Sequence, residues 1–309
     1  MSNLLVADIG GTGSRLALMA AAGPVATPVT YINSEFDSFE AILSDFLQQL
    51  PQQPACAALS VAGPVAGNRV MMTNLGWTLD SSVLAAQFGF AAVHIINDFA
   101  ALAWATLELG PADLQQIGGG AAVAAGNRGI LGPGTGLGVS GLVRAGQDWA
   151  VVAGEGGHVT LAATTAEEAQ IIAQVTHEHG HCSAERLVSG PGLVTLYELN
   201  GGEHCAPEAI TRLAQEGDAL ALQTLELFSQ LLGTVAADLA LTLGARGGIY
   251  LGGGILPDIA NLFAAGGFRE RFEAKGRFTD YLADMPTYII CTPHPSFRGL
   301  FAYMRRLGV

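Results

Sequence analysis

Two adjacent polar residues, Asn97 and Asp98, interrupt the apolar stretch VHIINDFAALAWA at residues 93–105. Burial disfavours the charged form of a carboxylate, so an acid among apolar residues needs either a partner that stabilises its charge or a functional role. One interpretation is structural, because VHII predicts a strand, FAALAWATL predicts a helix, and either polar residue would cap the junction. The other is catalytic, because burial raises the proton affinity of a carboxylate toward the range that suits a general base.

Three glycine-rich clusters are the second candidate feature. They are DIGGTGSR at 8–15, LGPGTGLGVSGL at 131–142 and YLGGGI at 250–255. Glycine lets backbone N–H groups converge on anionic oxygens without a Cβ in the way, so such turns cradle phosphates even without a basic side chain. None has the GxGxxG spacing with a following helix and acid that a dinucleotide site requires. Thr12 and Thr135 add hydroxyls to the first two clusters.

The composition excludes several classes of function. A net charge of -13 provides no basic field for nucleic acid or for an anionic membrane surface. Lys275 is the only lysine, so a P-loop, a protein-kinase lysine and a Schiff-base lysine beside the glycine clusters are excluded. With 50% hydrophobic and 13% charged residues, the chain is typical of a folded protein with a large core. The cysteines show no framework spacing, as expected of reduced thiols in the cytoplasm: Cys56, Cys182, Cys205 and Cys291.

No secretory or membrane-spanning segment is expected. The first residues, MSNLLVADIGG, lack a basic region and have too short an apolar run for a signal peptide. Residues 227–245 are the only long apolar stretch, but Asp238 lies in the middle, where a charge is unfavourable in lipid. We therefore predict a buried helix there.

The order of predicted elements indicates an α/β protein in two parts, each opening with a glycine-rich hairpin. In the first part a β-meander precedes a helix, which Asp37 and Glu40 would begin as a capping box. The order βββαβαβ follows from the strands and helices predicted at 4–32, 37–50, 55–65, 81–89 and 93–105. In the second part a meander from residue 126 precedes helices and two strands, at 166–179, 183–199, 207–215, 219–243, 248–255 and 287–293, and a final helix at 296–307.

The motifs and their order resemble one family, the bacterial glucokinases. DIGGTGSR is similar to the family's first phosphate motif, LGPGTGLGVS to its second, and LLGTVAADLALTLGARGGIYLGGGI to its helix and strand at the adenosine site. IINDFAALA resembles the segment with the catalytic aspartate, and GEGGHV and AERLVSGPGL resemble sugar-contacting motifs. The resemblance covers essentially the whole chain. It implies a two-lobed ribonuclease H-like fold of the actin, hexokinase and Hsp70 type, with mixed sheets and a central interlobe cleft.

The resemblance also implies lobe boundaries, a reaction and site residues. The small α/β lobe would comprise residues 1–108 and 296–309, and the large α/β lobe residues 109–295. The reaction would be phosphorylation of D-glucose by ATP to glucose 6-phosphate, with Asp98 as the general base. The residues that would hold the sugar are Asn74, Asn97, Asp98, Glu155, His158 and Glu185. The residues that would line ATP are Ala7, Asp8, Ile9, Gly10, Gly11, Thr12, Gly134, Thr135, Gly136 and Gly253, and Asp8 would order Mg²⁺ through water.

These residue types suit that chemistry. Phosphoryl transfer needs positioning, a metal that neutralises charge and an acceptor for the hydroxyl proton, and directional acids and amides select a sugar by its hydroxyl groups. Taken singly, each residue also has an ordinary structural role. Glu155 would be a loop charge, Glu185 a first-turn helix acid, Asn74 a turn residue and His158 a packed histidine. Only their combination favours a sugar site.

Two features depart from simple expectation. Gly13 stands where glucokinases usually have asparagine, which removes an amide but leaves the backbone of the hairpin intact. HEHGHC at 177–182 contains metal-ligand residue types, but the CxCGxxGC pattern of the related zinc-containing sugar kinases does not occur. Because Gly180 interrupts the helix, we expect a solvated helix end rather than a zinc site.

Two other functions stay open. The same chemistry could act on N-acetylglucosamine, mannose or fructose, since the sequence does not show what surrounds the 2-position of the sugar. A sugar-sensing regulator without turnover is disfavoured by the acidic charge and by a first strand that leaves no room for an N-terminal helix-turn-helix. The family resemblance further implies a cytoplasmic homodimer.

Overall fold

The computed structural model describes residues 4–20, 23–24, 27–72 and 74–308. The chain forms two compact units, one of Met1–Leu109 with Pro293–Val309 and one of Gly110–Thr292. The strands of the first unit are β1 (Leu4–Ile9), β2 (Gly13–Ala20), β3 (Gly23–Pro24), β4 (Val29–Ile32), β5 (Cys56–Val61), β6 (Val65–Ala66), β7 (Arg69–Met72), β8 (Trp77–Asp80) and β9 (Ala92–Asn97). Those of the second are β10 (Leu114–Ile117), β11 (Arg128–Pro133), β12 (Leu137–Ala145), β13 (Asp148–Ala153), β14 (Ile249–Leu251) and β15 (Thr287–Ile290).

Helices separate these strands along the chain. They are α1 (Phe39–Gln48), α2 (Ser81–Phe88), α3 (Asp98–Ala105), α4 (Ala166–His179), α5 (Ala184–Leu187), α6 (Gly190–Leu199), α7 (Pro207–Gln215), α8 (Ala219–Leu243), α9 (Ile255–Asp258), α10 (Ala260–Ala265), α11 (Phe268–Glu273), α12 (Thr279–Ala283) and α13 (Pro295–Arg306). The predicted meanders and long helices are therefore confirmed. The sequence did not predict the three-stranded sheet of β6 to β8 or the short helices α9 to α12.

A mixed sheet in the order β3-β2-β1-β5-β9 forms the centre of the first unit, with β4 also paired to β2. β1, β5 and β9 are parallel, and β2 is antiparallel to β1. Side chains alternate along β1, so Ala7 and Ile9 pack with α1 while Val6 packs with α13 on the opposite face. Asp8 lies between the two core residues and so belongs to the face that α13 covers.

Helix α13 closes that face by direct backbone contact with α3. A Cβ atom at Gly299 would overlap the carbonyl group of Ala101, so only glycine permits this approach. Phe297, Leu300 and Met304 of α13 are buried in the same cluster. The first unit is thus completed by residues from the end of the chain.

One predicted helix start was wrong. Ser38, rather than Asp37, is the N-cap of α1, and its hydroxyl accepts a hydrogen bond from the Ala41 N–H at 3.3 Å. The helix begins one residue later than a capping box formed by Asp37 and Glu40 would require. Ser38 has the extended backbone typical of an N-cap, with φ of -159° and ψ of 165°.

The second unit surrounds a sheet in the order β10-β15-β14-β11-β12-β13. Helix α8 is long and apolar enough to span a membrane, but 61% of its most apolar window is buried inside the protein, where it packs in the core. Helix α4 begins with a capping box of Thr165 and Glu168 and ends at His179, with Gly180 in the left-handed conformation. Gly180 therefore ends the helix as predicted.

Candidate active site

The hairpin between β1 and β2 directs its carbonyl groups into the protein. The Gly10 N–H donates to the Gly13 carbonyl at 3.0 Å, and the Asn33 N–H donates to the Thr12 carbonyl at 3.0 Å. The Asn33 side chain donates from Nδ2 to the Gly10 carbonyl at 2.8 Å. Within the described ranges, the N–H groups of Gly11 and Thr12 have no acceptor from the chain. Two consecutive exposed N–H groups of this kind can bind an anion.

The hairpin between β11 and β12 is closed by a different backbone hydrogen bond but exposes N–H groups in a similar way. The Gly134 N–H donates to the Gly136 carbonyl at 2.8 Å, and the Gly190 N–H at the start of α6 donates to the Gly134 carbonyl at 2.7 Å. In the described part of the chain, the N–H groups of Thr135 and Gly136 have no protein acceptor. The second hairpin therefore also offers two neighbouring donors to an anion.

Glu185 of α5 lies against the second hairpin. Its Oε2 accepts a hydrogen bond from the Leu137 N–H at 2.9 Å, where β12 begins. A Cβ atom at Gly136 would overlap that oxygen, so a larger residue there would displace the Glu185 carboxylate. The other oxygen, Oε1, is 3.9 Å from Nδ1 of His158. One partly exposed carboxylate thus joins the hairpin to the GEGGHV segment.

The GEGGHV segment lies flat on β12 because its glycines permit close contact. A Cβ at Gly156 would be 2.8 Å from the Val139 side chain, and one at Gly157 would overlap the Leu137 carbonyl. The exposed Glu155 precedes this turn, and its carbonyl accepts the His158 N–H at 3.0 Å. A polar cavity of about 390 Å³ brings three of the predicted residues together: Thr135, His158 and Glu185.

In the first unit, Asn97 ends β9 and caps α3. Its Oδ1 accepts hydrogen bonds from the N–H groups of Phe99 at 2.9 Å and Ala100 at 3.2 Å. Its Nδ2 donates to the Gly63 carbonyl at 3.1 Å and to Oδ1 of Asp98 at 2.9 Å. The structural interpretation is therefore confirmed for Asn97, and its amide already makes four hydrogen bonds.

Asp98 is the first residue of α3, and its side chain is partly exposed. Its Oδ1 accepts the Asn97 amide and the Phe99 N–H at 3.0 Å. Burial raises the pKa of Asp98 to about 6, against the lowering effect of the Phe99 N–H, and the negative charge of Asp8 raises it further. A carboxyl with that pKa can hold a proton transiently near neutral pH, as a general base must.

Asp8 lies on the same face of the first unit as α13. Its Oδ1 accepts a hydrogen bond from Ser60 Oγ at 3.0 Å, across the parallel pair of β1 and β5. Burial raises the pKa of Asp8, although Ser60, Arg15 and Ser296 oppose the increase. A desolvated carboxylate beside hydroxyl groups is an oxygen-rich donor set, which is the kind that Mg²⁺ prefers.

The structure does not place every predicted residue in the site. The side chains of Ala7 and Ile9 have no exposed surface and belong to the hydrophobic core, so only their backbone is left to line a nucleotide. Asn74 is exposed, and its Nδ2 is 4.0 Å from the position of a Cβ on Gly11, so it lies beside the first hairpin. Gly253 has φ of 93°, and a Cβ there would overlap the Pro133 carbonyl next to the second hairpin.

Two residues that support the site were missed from the sequence. Ser60 is fully buried and holds Asp8, and the signal for it was a hydroxyl inside the apolar strand CAALSV. Asn33 is 1% exposed and holds the first hairpin. No local pattern marks Asn33, because its contacts are with residues 19 to 23 positions earlier in the chain.

Known proteins resemble this chain in sequence and in structure. A glucokinase of Aromatoleum aromaticum is 42% identical over 305 residues, covering 96% of this chain and 92% of that protein. The crystal structure of a glucokinase from an Antarctic psychrotroph is 36% identical, with a TM-score of 0.89 and 99% of each chain covered. A glucokinase of Streptomyces griseus, crystallised with glucose and AMPPNP, is 17% identical, with a TM-score of 0.67 and coverage of 99% and 100%.

These structural matches confirm the predicted fold class, the ribonuclease H-like fold of the actin and hexokinase type. The sequence model of the glucokinase family matches residues 5–307 of this chain. Together with the identity to the Aromatoleum protein over almost its whole length, this match shows the family. The chain belongs to the glucokinase family.

Proposed function

We propose that this protein transfers the γ-phosphoryl group of ATP to the 6-hydroxyl of D-glucose, which yields glucose 6-phosphate and ADP. The family membership supports the reaction, and the Streptomyces griseus relative is bound to glucose and an ATP analogue. The observation that carries the proposal is Asp98, a carboxyl with a raised pKa held by Asn97 at the start of α3.

The reaction needs an acceptor for one proton. The 6-hydroxyl oxygen of glucose attacks the γ-phosphorus, the bond to the bridging oxygen of ADP breaks, and the hydroxyl proton passes to Asp98. The hydrogen bonds from Asn97 and Phe99 both end on Oδ1 of Asp98, so Oδ2 is the oxygen that takes the proton. Asn97 acts in this scheme by positioning Asp98, and its own contact with the sugar stays a prediction.

Other predicted residues supply directional contacts to the sugar. Glu185 and His158 lie together in the polar cavity of the second unit, and both present polar atoms to solvent. Glu155 and Asn74 are exposed on loops beside the two hairpins. A site built from such groups selects a sugar by its hydroxyls, because an analogue that lacks one leaves a polar group unpaired.

The nucleotide phosphates suit the two hairpins. Gly11 and Thr12 of the first, and Thr135 and Gly136 of the second, present N–H groups that have no acceptor within the described part of the chain. Mg²⁺ bound with ATP would neutralise phosphate charge, and Asp8 would hold it through water. The desolvated Asp8 carboxylate fits this role because a nearby cation would offset its burial.

Replacing Asp98 by asparagine tests the proposal. Asp98→Asn keeps the size and the acceptor atom for Phe99 but removes the base, so we expect kcat to fall by about 10³-fold while the glucose affinity stays within about threefold. ADP release measures turnover, and calorimetry measures glucose binding. Asp37→Asn, a change of the same kind at a residue outside the site, should match the unmodified protein. A near-normal kcat in Asp98→Asn would show that Asp98 is not the base.

A panel of hexoses, each assayed with ATP and with ADP, tests the substrates. We expect glucose with ATP to give the highest kcat/KM. A preference for N-acetylglucosamine, mannose or fructose would overturn the sugar assignment and leave the reaction type intact. Glucose binding without consumption of ATP would instead favour a sugar-sensing regulator.

We further propose a cytoplasmic homodimer without nucleic acid or membrane partners. The family resemblance supports the dimer, and the net charge of -13 supports the lack of polyanionic partners. Sedimentation equilibrium tests the dimer: a single species at the monomer mass of 31.8 kDa would contradict it.

A further inference from the structure

Asn33 is a buried amide that touches the first hairpin from outside it. It follows β4, is 1% exposed and lies in neither glycine-rich cluster. Its Nδ2 donates to the Gly10 carbonyl at 2.8 Å, and its Oδ1 accepts from Ser14 Oγ at 2.7 Å. Its backbone N–H donates to the Thr12 carbonyl at 3.0 Å. Three of its polar atoms therefore hold positions on or beside one short turn.

The local packing keeps Asn33 in reach of the turn. Gly13 pairs with Ile32 in the β2–β4 ladder, and a Cβ on Gly13 would lie 3.2 Å from the Tyr31 carbonyl oxygen. A contact of that length is tight for a side chain, so glycine lets β4 approach the end of the turn. The strand then delivers Asn33 directly opposite Thr12.

The chemistry of the amide matters because it both donates and accepts. Ser14 is fully buried, so Oδ1 of Asn33 satisfies a hydroxyl that would otherwise be unpaired. The donor, Nδ2, holds the Gly10 carbonyl toward the protein. With the Gly10 carbonyl held by the Asn33 amide and the Thr12 carbonyl by the Asn33 backbone N–H, the N–H groups of Gly11 and Thr12 stay available to a ligand.

We propose that Asn33 is a positioning residue for the phosphate groups of ATP, acting through the backbone of the hairpin Gly10–Thr12. The proposal rests on the proposed function for its choice of nucleotide. Asn33 touches no substrate in this scheme. It fixes which backbone groups face inward, and so prepares the turn before the nucleotide arrives.

The decisive variant is Asn33→Asp. The carboxylate keeps an acceptor for Ser14 but replaces the donor to Gly10 with an oxygen that repels the carbonyl. We expect the KM for ATP and the dissociation constant of AMPPNP to rise about tenfold, as the loss of one or two hydrogen bonds to a charged group predicts. The KM for glucose should stay within about twofold, since the change is confined to the phosphate turn.

Two further variants separate positioning from general stability. Tyr31→Phe, in β4, removes a hydroxyl that donates a hydrogen bond to Asp45 at 2.9 Å. This variant should lower the melting temperature without raising the KM for ATP. Ser14→Ala frees Oδ1 of Asn33, so its amide is oriented less firmly, and should raise the KM for ATP by a smaller factor than Asn33→Asp. The expected order of the effect on the KM for ATP is therefore Asn33→Asp, Ser14→Ala, Tyr31→Phe.

The outcomes distinguish the two proposals. If the unmodified protein phosphorylates glucose with ATP and folded Asn33→Asp keeps its KM for ATP, the positioning role is wrong and the function stands. Equal increases in the KM of glucose and of ATP would also overturn the positioning role. If Asn33→Asp does not fold, Ser14→Ala decides, and an unchanged KM for ATP at a lowered melting temperature rejects the proposal. If the unmodified protein consumes no ATP with glucose, the proposed function itself fails.

Discussion

The two glycine-rich hairpins each present two neighbouring N–H groups without a protein acceptor in the described ranges, but they are held by different kinds of residue. The first is held by the amide of Asn33, which is 1% exposed. The second is held by Glu185, whose carboxylate is 33% exposed and also faces His158. A buried residue can serve only the turn it supports, whereas a partly exposed one is also open to a ligand.

This difference suggests two ways of preparing a phosphate site. The first hairpin is organised by the fold alone, so its shape should not depend on whether sugar is bound. The second is organised by a residue that we also assign to the sugar, so sugar binding should alter the hydrogen bond between Glu185 and Leu137. The comparison therefore predicts that variants of the two supporting residues have different kinetic effects.

The largest effect is expected at Glu185. Glu185→Ala removes the acceptor of the Leu137 N–H and a proposed sugar contact together, so the kcat/KM for glucose should fall by about 10²–10³-fold and the KM for ATP should rise as well. Glu185→Gln keeps an oxygen for Leu137 and should raise mainly the KM for glucose. Steady-state kinetics with each substrate varied will show this. If Glu185→Ala changes the glucose parameters alone, the second hairpin does not depend on Glu185.

The decrease of kcat/KM at acid pH should be the same in variants of either hairpin. Asp98 must be unprotonated to act as a base, so kcat/KM should fall about tenfold per pH unit below its pKa of about 6. Because Asp98 belongs to neither hairpin, Glu185→Gln should keep the same midpoint as the unmodified protein. Rate profiles between pH 5 and pH 8 provide the measurement. A midpoint that moves with Glu185 would place the titrating group at the second hairpin.

Gly136→Ala should disturb the second hairpin through contact alone. The added Cβ would overlap Oε2 of Glu185, which must then leave Leu137, and we expect the KM for ATP to rise about tenfold. Gly119→Ala is the matched control, because its Cβ would meet nothing closer than the Ala283 carbonyl oxygen at 3.9 Å. Kinetics of both variants at equal concentrations of folded protein test this, and equal KM values for ATP would argue against the contact.

The smallest expected effect is on stability, and it has the opposite sign for the base, Asp98, and for Asn33, which holds the first hairpin. The pKa of Asp98 is raised by folding from 3.8 to about 6, so its contribution to stability is full below pH 3.8 and is lost as the pH rises through 6. Asp98→Asn should therefore raise the free energy of unfolding at pH 7 by about 2 kcal/mol, and Asn33 variants should lower it. Urea unfolding at pH 7 and pH 4 measures both. A gain that persists unchanged at pH 4 would not come from the carboxylate charge.

Long periodic segments of the fold could be predicted from the sequence. The meander of β1, β2 and β4, helices α4 and α8 and the passage from β9 to α3 follow from periodicity and from helix caps, which are local properties. Strands β6 to β8 and helices α9 to α12 have two to six residues each, too few to show a period. Their conformations are set by packing within the units rather than by their own patterns.

The candidate site was predictable where chemistry and motif coincide and not where support comes from distant residues. Asp98 and Glu185 combine an unusual residue type with a recognisable segment. The resemblance implies Ala7 and Ile9 as ATP-lining residues, although the alternation of β1 sends their side chains into the core. Asn33 depends on the register in which β4 pairs with β2, and the predicted meander does not specify that register.

The close approach of Gly299 to Ala101 has a consequence for how the protein is made. Helix α3 is synthesised about 200 residues before α13, the helix that packs against it at Ala101. During translation the second unit is therefore complete while one face of the first is still open. The face of the first unit that α13 covers is therefore completed last, after the residues from Pro293 onward have left the ribosome.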